Sequence, residues 1–283
     1  MTVKAAYLTA LDARDKMRKQ ALSAVELLES CIEQIEDIDP VVNAMVTRSF
    51  DRAREEALFA DAAINLGKDL GPLHGLPIAI KDIHLTKDIV TTFGKKEWAN
   101  NVPSSDSGIV NRIRKAGGII IGKTNVPEGS IGANTVNPLF GATGNAFNPD
   151  LTCGGSSGGS AVAIATHMAP LATGSDHGGS LRIPACYSGI VGYRATPGIV
   201  PNEGRTTLQT NYSVQGPMAR TVADTALMLS VIAERDENAL KDPMAFPLDA
   251  SMFASLDEVD ISRLRIALSV DLGGVLVSEN IRE

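Results

Sequence analysis

Over the first 66 residues the apolar positions keep a helical period. Val25, Leu28, Cys31, Ile32, Ile35 and Ile38 recur at three- and four-residue spacing, which puts them on one face of a helix. Ser23 and Glu26 form a capping-box signature before that run, hydroxyl and carboxylate each taking up a free N–H at the helix start. Pro40 is read as its stop, because proline cannot supply the next helical N–H. An alanine-rich stretch over residues 50–66 predicts a further helix ending at Gly67.

From Gly71 the pattern changes to short apolar runs enclosed by turn residues. Residues 76–80 read as a buried strand with Lys81 at its end. Residues 107–117 read as a helix with Ile109, Val110, Ile113 and Ala116 on one side, and residues 118–122 as a second buried strand. Strand, helix and strand at these lengths predict a βαβ unit with parallel pairing. Residues 123–150 show no period and read as a long irregular stretch, a kind of segment that is usually functional or mobile.

A helix is predicted over 160–168, short strands over 171–173 and 190–195, and a loop over 197–212. A helix over 222–234, capped by Thr221 and Asp224, is apolar on more than one side and therefore buried widely. Residues 235–262 are mixed, and 265–270 read as a strand. Ser278 and Glu279 open a helix that is one turn long at Glu283, so the sequence reads as C-terminally incomplete. The expected organisation is a single α/β domain over 1–283, with a helical layer (1–66), a catalytic core (71–234) and the start of a C-terminal part (235–283).

Composition narrows the function classes. The 283 residues carry a net charge of −7 without clustered Lys and Arg, which argues against nucleic acid and against an anionic membrane surface. No apolar run approaches the length of a membrane span, and the start lacks a signal-peptide pattern. Three widely spaced cysteines are neither a disulfide framework nor a zinc pattern, and a reducing, cytoplasmic location is expected. The four histidines lack metal-ligand spacing, and nothing points to a cofactor. Cys153 and Cys186 read as small buried residues, and His167 as a helical core residue.

The chemistry concentrates between Cys153 and Pro184, where two glycine-serine clusters flank an apolar helix. The first cluster, G-G-S-S-G-G-S over 154–160, has three readings besides catalysis by a new serine arrangement. A flexible linker is one, but apolar pattern continues on both sides. A phosphate cradle is another, but the Walker G-K-[ST] is missing. Gly155 to Gly159 also fits the G-x-S-x-G nucleophile elbow centred on Ser157. That fold needs its histidine after the serine, and His177 is the last histidine of the chain.

A serine without histidine needs another base, and a lysine made neutral by burial can serve. Lys81 and Lys123 both follow apolar strands, and spacing alone leaves them equal. The second cluster, His177 to Ser180, presents successive N–H groups without bulky side chains. It suits an oxyanion hole, with a tight structural turn as the alternative. Asp176 and Arg182 are read as an ion pair bracing that turn.

Together, G-G-S-S-G-G-S, G-S-D-H-G-G-S-L-R-I-P-A and P-I-A-I-K-D closely resemble the amidase signature family. F-G-A-T, G-K-T-N-V-P-E and S-V-Q-G-P-M-A-R-T-V-A-D match its flanking segments. The resemblance implies an amidase signature fold, a mixed central β-sheet covered by α-helices on both faces. It also implies a Ser–Ser–Lys triad whose middle serine sits in a cis peptide: Lys81 as base, Ser156 as bridge, Ser180 as nucleophile. The N–H groups of His177, Gly178, Gly179 and Ser180 then form the oxyanion hole, Ser157 supports the site, and Ser130 with Ser156 lines the substrate pocket.

The implied activity is hydrolysis of a carboxylic amide through an acyl-enzyme on Ser180, with a small-molecule amide as partner and homodimer formation left open. Two other outcomes are the amidase subunit of a tRNA-dependent amidotransferase and a non-catalytic fragment. Subunits of that kind typically carry Gln where this chain has Ile183, and S-L-D-Q-I-G-P where it has S-V-Q-G-P, so a free-standing amidase is favoured. His177 stands where the family more often has Thr.

Overall fold

A computed structural model of the protein describes residues 4–205, 211–237, 239–245, 247–254 and 260–282. Parts of the predicted 197–212 loop and of the mixed 235–262 stretch therefore lie outside the described residues. In chain order the α-helices are α1 (Ala10–Arg18), α2 (Ala24–Val42), α3 (Phe50–Asn65), α4 (Gly108–Lys115), α5 (Gly158–Ala165), α6 (Arg182–Ser188), α7 (Val222–Ile232) and α8 (Glu279–Arg282). The strands are β1 (Met45–Arg48), β2 (Pro77–Lys81), β3 (Ile119–Thr124), β4 (Val136–Asn137), β5 (Gly141–Ala142), β6 (Leu171–Asp176), β7 (Val191–Gly192) and β8 (Val214–Ala219).

Six strands form one mixed sheet in the order β1-β3-β2-β6-β8-β7, and β4 and β5 form a separate pair. β2 pairs in parallel with β3 and with β6, and β1, β8 and β7 pair antiparallel with their neighbours. The predicted βαβ unit is thus β2–α4–β3. Both strands are buried along their whole length, as expected of a central parallel pair covered by helices. Each fully buried isoleucine in them contributes about 1.5–3 kcal/mol of apolar burial.

The Ser23–Glu26 capping box starts α2 as predicted. Pro40 does not stop it: the helix runs to Val42 and ends at Asn43 in the left-handed conformation. Pro40 and Glu36 are both exposed, so the helical bond lost at the missing N–H does not leave a buried carbonyl unpaired. The Asp39 carboxylate then accepts from the N–H groups of Ala44 and Met45 and turns the chain into β1. α7 is capped by the Thr221 hydroxyl and buried on several sides. Its Asp224 accepts from the Leu11 N–H and ties down the N-terminal helices.

Other expectations need correction. β1, β8 and α6 carry no clear period in the sequence. The predicted 190–195 strand shrinks to β7. Residues 265–270 are not a strand: no described segment pairs with them, and Ile266, Leu268 and Val270 stay exposed. An alternating pattern needs a neighbouring edge before it becomes sheet. His167 lies beyond the end of α5 at positive φ, its ring tilted against that of Tyr7, rather than inside the helix. Cys153 is buried but Cys186 is exposed.

Candidate active site

The C-terminal ends of β2 and β6 and the N-terminus of α5 meet at one cleft. α5 starts at Gly158, two residues earlier than expected, so the glycine cluster is itself the first helical turn. Glycine is needed there for close approach. A Cβ on Gly159 would stand 2.4 Å from the Asn125 backbone nitrogen. The peptide between Gly155 and Ser156 is cis.

Pleating decides which lysine meets this turn. Lys81 is opposite Thr124 in the β2–β3 register, and Lys123 is opposite Ile80. Residues one step apart in register point to opposite faces of a sheet. The Thr124 hydroxyl lies 2.6 Å from that of Ser160 in α5, so Lys81 shares the α5 face and Lys123 does not. Lys81 is 0% exposed. Its Nζ donates to Ser156 Oγ and to Ser175 Oγ, each at 2.8 Å. Ser130 Oγ also donates to Ser156 Oγ, at 2.9 Å. Ser156 Oγ therefore accepts two bonds and keeps its own hydrogen to give. Burial lowers the Lys81 pKa to about 7, partly offset by the negative charge of Asp176.

The second cluster is bound to the first through Ser157. Its hydroxyl donates to the Ser175 carbonyl and accepts from the Ser175 N–H, both at 3.2 Å, and its own N–H donates to the Ser180 carbonyl. The loop then turns round Asp176. That carboxylate accepts from the N–H groups of Gly179 (2.8 Å) and Leu181 (3.1 Å) and from both Arg182 and Arg194. Burial works against its charge, yet these bonds hold its pKa at about 2. One expectation is overturned here: the Gly179 N–H is spent on Asp176 and does not face the cleft. The N–H groups of Gly178 and Ser180 carry no bond among the described residues.

Ser130, Ser156, Ser175, His177 and Ser180 line one cleft of about 850 Å³, together with Leu85, Phe93 and Ile131. The structure thus brings together Lys81, Ser156, Ser180, Ser130 and the His177–Ser180 loop. Ser180 is half-buried, and among the described residues its hydroxyl makes no hydrogen bond, to Ser156 or to any other group.

Sequence reasoning missed Ser175 as a second partner of the buried amine. Its place at the end of a short strand, two residues after Thr173, was the available signal. It also missed Thr173, whose hydroxyl accepts from the Lys81 N–H and lies 2.9 Å from His84 Nδ1. Among the described residues no cluster of His, Cys, Asp and Glu could hold a metal ion.

A family model described as Amidase matches residues 26–283. The chain belongs to the amidase family. It is 37% identical over 267 residues to an acylamidase of Rhodococcus erythropolis, covering 94% of this chain and 55% of that protein. It is 38% identical over 262 residues to a glutamyl-tRNA(Gln) amidotransferase subunit from Carboxydothermus hydrogenoformans, covering 93% of this chain and 53% of that one.

Among solved structures, a bacterial aryl acylamidase of the amidase signature family superposes with a TM-score of 0.79 at 31% identity, covering 86% of this chain and 50% of the other. The peptide amidase of Stenotrophomonas maltophilia gives 0.78 at 32% identity, with 84% and 50% covered. The fold is therefore the amidase signature fold, and the chain spans about half the length of the relatives it matches.

Proposed function

We propose that this chain carries the catalytic centre of an amidase that hydrolyses a small carboxylic amide through an acyl-enzyme on Ser180. The observation that carries the reading is the fully buried Lys81 amine, 2.8 Å from Ser156 Oγ at the edge of a cleft that Ser180 also lines. A lysine in that setting is populated as the neutral amine near neutral pH. Neutral Lys81 takes the Ser156 proton while Ser156 takes that of Ser180, and Ser180 Oγ bonds to the amide carbon.

The carbonyl oxygen becomes an anion, met by the Gly178 and Ser180 N–H groups at the mouth of the loop that Asp176 holds. Ser156 returns its proton to the leaving nitrogen as the C–N bond breaks. Water then adds to the acyl carbon by the same proton route, and the carboxylate leaves. Ser130 steadies Ser156 and faces substrate. Three free cysteines support a reducing, cytoplasmic setting, and among the described residues no helix is long and apolar enough to cross a membrane.

Similarity to amidotransferase subunits supports a second reading, an amidase chain that works only with partner chains. Ile183 and the S-V-Q-G-P segment favour the free-standing enzyme. The test is release of ammonia or amine from a panel of simple aliphatic and aryl amides by the purified chain alone. Turnover abolished by Ser180→Ala supports the reading; no turnover of any amide, or turnover unchanged in Ser180→Ala, overturns it.

A further inference from the structure

Two lysines are fully buried at the ends of neighbouring strands, and the mechanism uses one. Lys123 is 0% exposed. Its Nζ donates to the His84 carbonyl, to Thr86 Oγ1 at 2.9 Å and to Thr91 Oγ1 at 3.0 Å. Both hydroxyls have a carbonyl placed to take their hydrogens: Thr86 donates to the His84 carbonyl at 3.0 Å and Thr91 to the Ile89 carbonyl at 3.2 Å. Every partner of Lys123 is therefore an acceptor, and three acceptors require three N–H donors, which only an ammonium has. Lys81 differs, because the hydroxyls of its partners Ser156 and Ser175 donate to no carbonyl among the described residues and are free to turn and donate to a neutral amine.

The charged and titratable groups acting on Lys123 agree with this. Asp82 and Asp106 both favour its charged form. The neighbouring His84 is held neutral by burial and by the two lysines. The three acceptors all belong to the segment 82–93, which Asp82 closes from the other side by accepting from the Thr92 N–H and hydroxyl. That segment supplies Ile83, His84, Leu85 and Phe93 to the cleft wall.

We propose that Lys123 is a positioning residue, held as an ammonium by these three acceptors, that pins the 82–93 wall of the cleft and leaves Lys81 as the buried amine free to exchange its proton. The positioning part rests on the amidase reading; the charge assignment does not. Burial, opposed by Asp176 at Lys81 and by Asp82 and Asp106 at Lys123, brings both lysines to about 7. Deprotonating Lys123 would also leave an acceptor unmet and aim a lone pair at an oxygen, which raises its titration by about two pH units.

The test is ¹⁵N NMR of the lysine Nζ groups through a pH titration of the full chain, the two signals assigned with Lys81→Met and Lys123→Met. Lys123 should stay an ammonium to clearly higher pH than Lys81, which converts to the amine near 7. Conversion of both together near 7 overturns the assignment. Thr86→Val, which removes one acceptor, should lower the Lys123 titration by about one pH unit and leave that of Lys81 in place.

The same variant should raise the concentration of a fluorophosphonate probe needed to saturate Ser180 severalfold, with the limiting labelling rate within about twofold of the parent. A lower limiting rate at unchanged saturation overturns the positioning role. If the parent chain takes no label at all, the amidase reading fails, and the titration still decides the charge of Lys123.

Discussion

Lys81 Nζ and Ser156 Oγ, 75 residues apart in the chain, stand 2.8 Å apart. The contact exists because one strand of the parallel pair ends on the face where α5 begins. The amine is fully buried, with a pKa near 7 set by burial and partly restored by Asp176. A base must be deprotonated to act. Labelling or turnover should therefore rise with pH through about 7 and level off above it. A kcat/KM profile flat from about pH 5 to 9 would contradict a lysine base.

The same burial works against stability. The folded pKa of Lys81 lies below its unfolded value, so the unfolded chain binds more protons between the two. Stability from this group is lowest below the folded pKa and rises as pH climbs towards the unfolded one. Lys81→Met removes the penalty and should raise the thermal midpoint at pH 7 by about 2–4 °C while abolishing activity. Differential scanning calorimetry of the two proteins decides it, and a lower midpoint would contradict the buried-charge penalty.

Asp176 acts on the loop and on the amine at once. Its side chain is 0% exposed and joined to Arg182 and Arg194. Asp176→Ala removes the carboxylate shared by Arg182, Arg194 and the N–H groups of Gly179 and Leu181, and should cost about 3 kcal/mol in urea unfolding. Asp176→Asn keeps one acceptor oxygen. Residual activity in that variant should have its acid limb moved to lower pH, because the charge that raises the Lys81 pKa is gone. An acid limb moved to higher pH would contradict this.

Ser175→Ala deletes one of the two hydroxyl partners of the amine and leaves Ser157 in place. Turnover should fall about tenfold at saturating substrate, with the unfolding midpoint little changed. An unchanged kcat would remove Ser175 from the site. Gly159→Ala is the converse case. A Cβ there meets the Asn125 nitrogen at 2.4 Å, and overpacking against backbone should destabilise the fold by about 1–3 kcal/mol, read by urea denaturation.

The sequence carried the parts of this fold whose pattern is local. The capping box of α2, the strand ends at Lys81 and Lys123, and the glycine turn before α5 all follow from neighbouring residues. What it could not carry depends on pairing. β8 shows no alternation because it lies beside β6 inside the sheet, with Gly216 and Pro217 at its middle. Residues 265–270 alternate as a strand would, yet have no described partner to join. The choice between Lys81 and Lys123 was open to spacing, and register settles which face each one takes. Ser175 was hidden for the same reason: nothing near it in sequence says that a buried amine lies across the sheet end.

The most direct measurement is mass spectrometry of the purified chain after reaction with a fluorophosphonate probe. A Ser180 nucleophile served by Lys81 predicts one adduct on the peptide carrying Ser180, lost in Ser180→Ala and strongly slowed in Lys81→Met. An adduct that persists in Ser180→Ala, or a labelling rate unaffected by Lys81→Met, would contradict it.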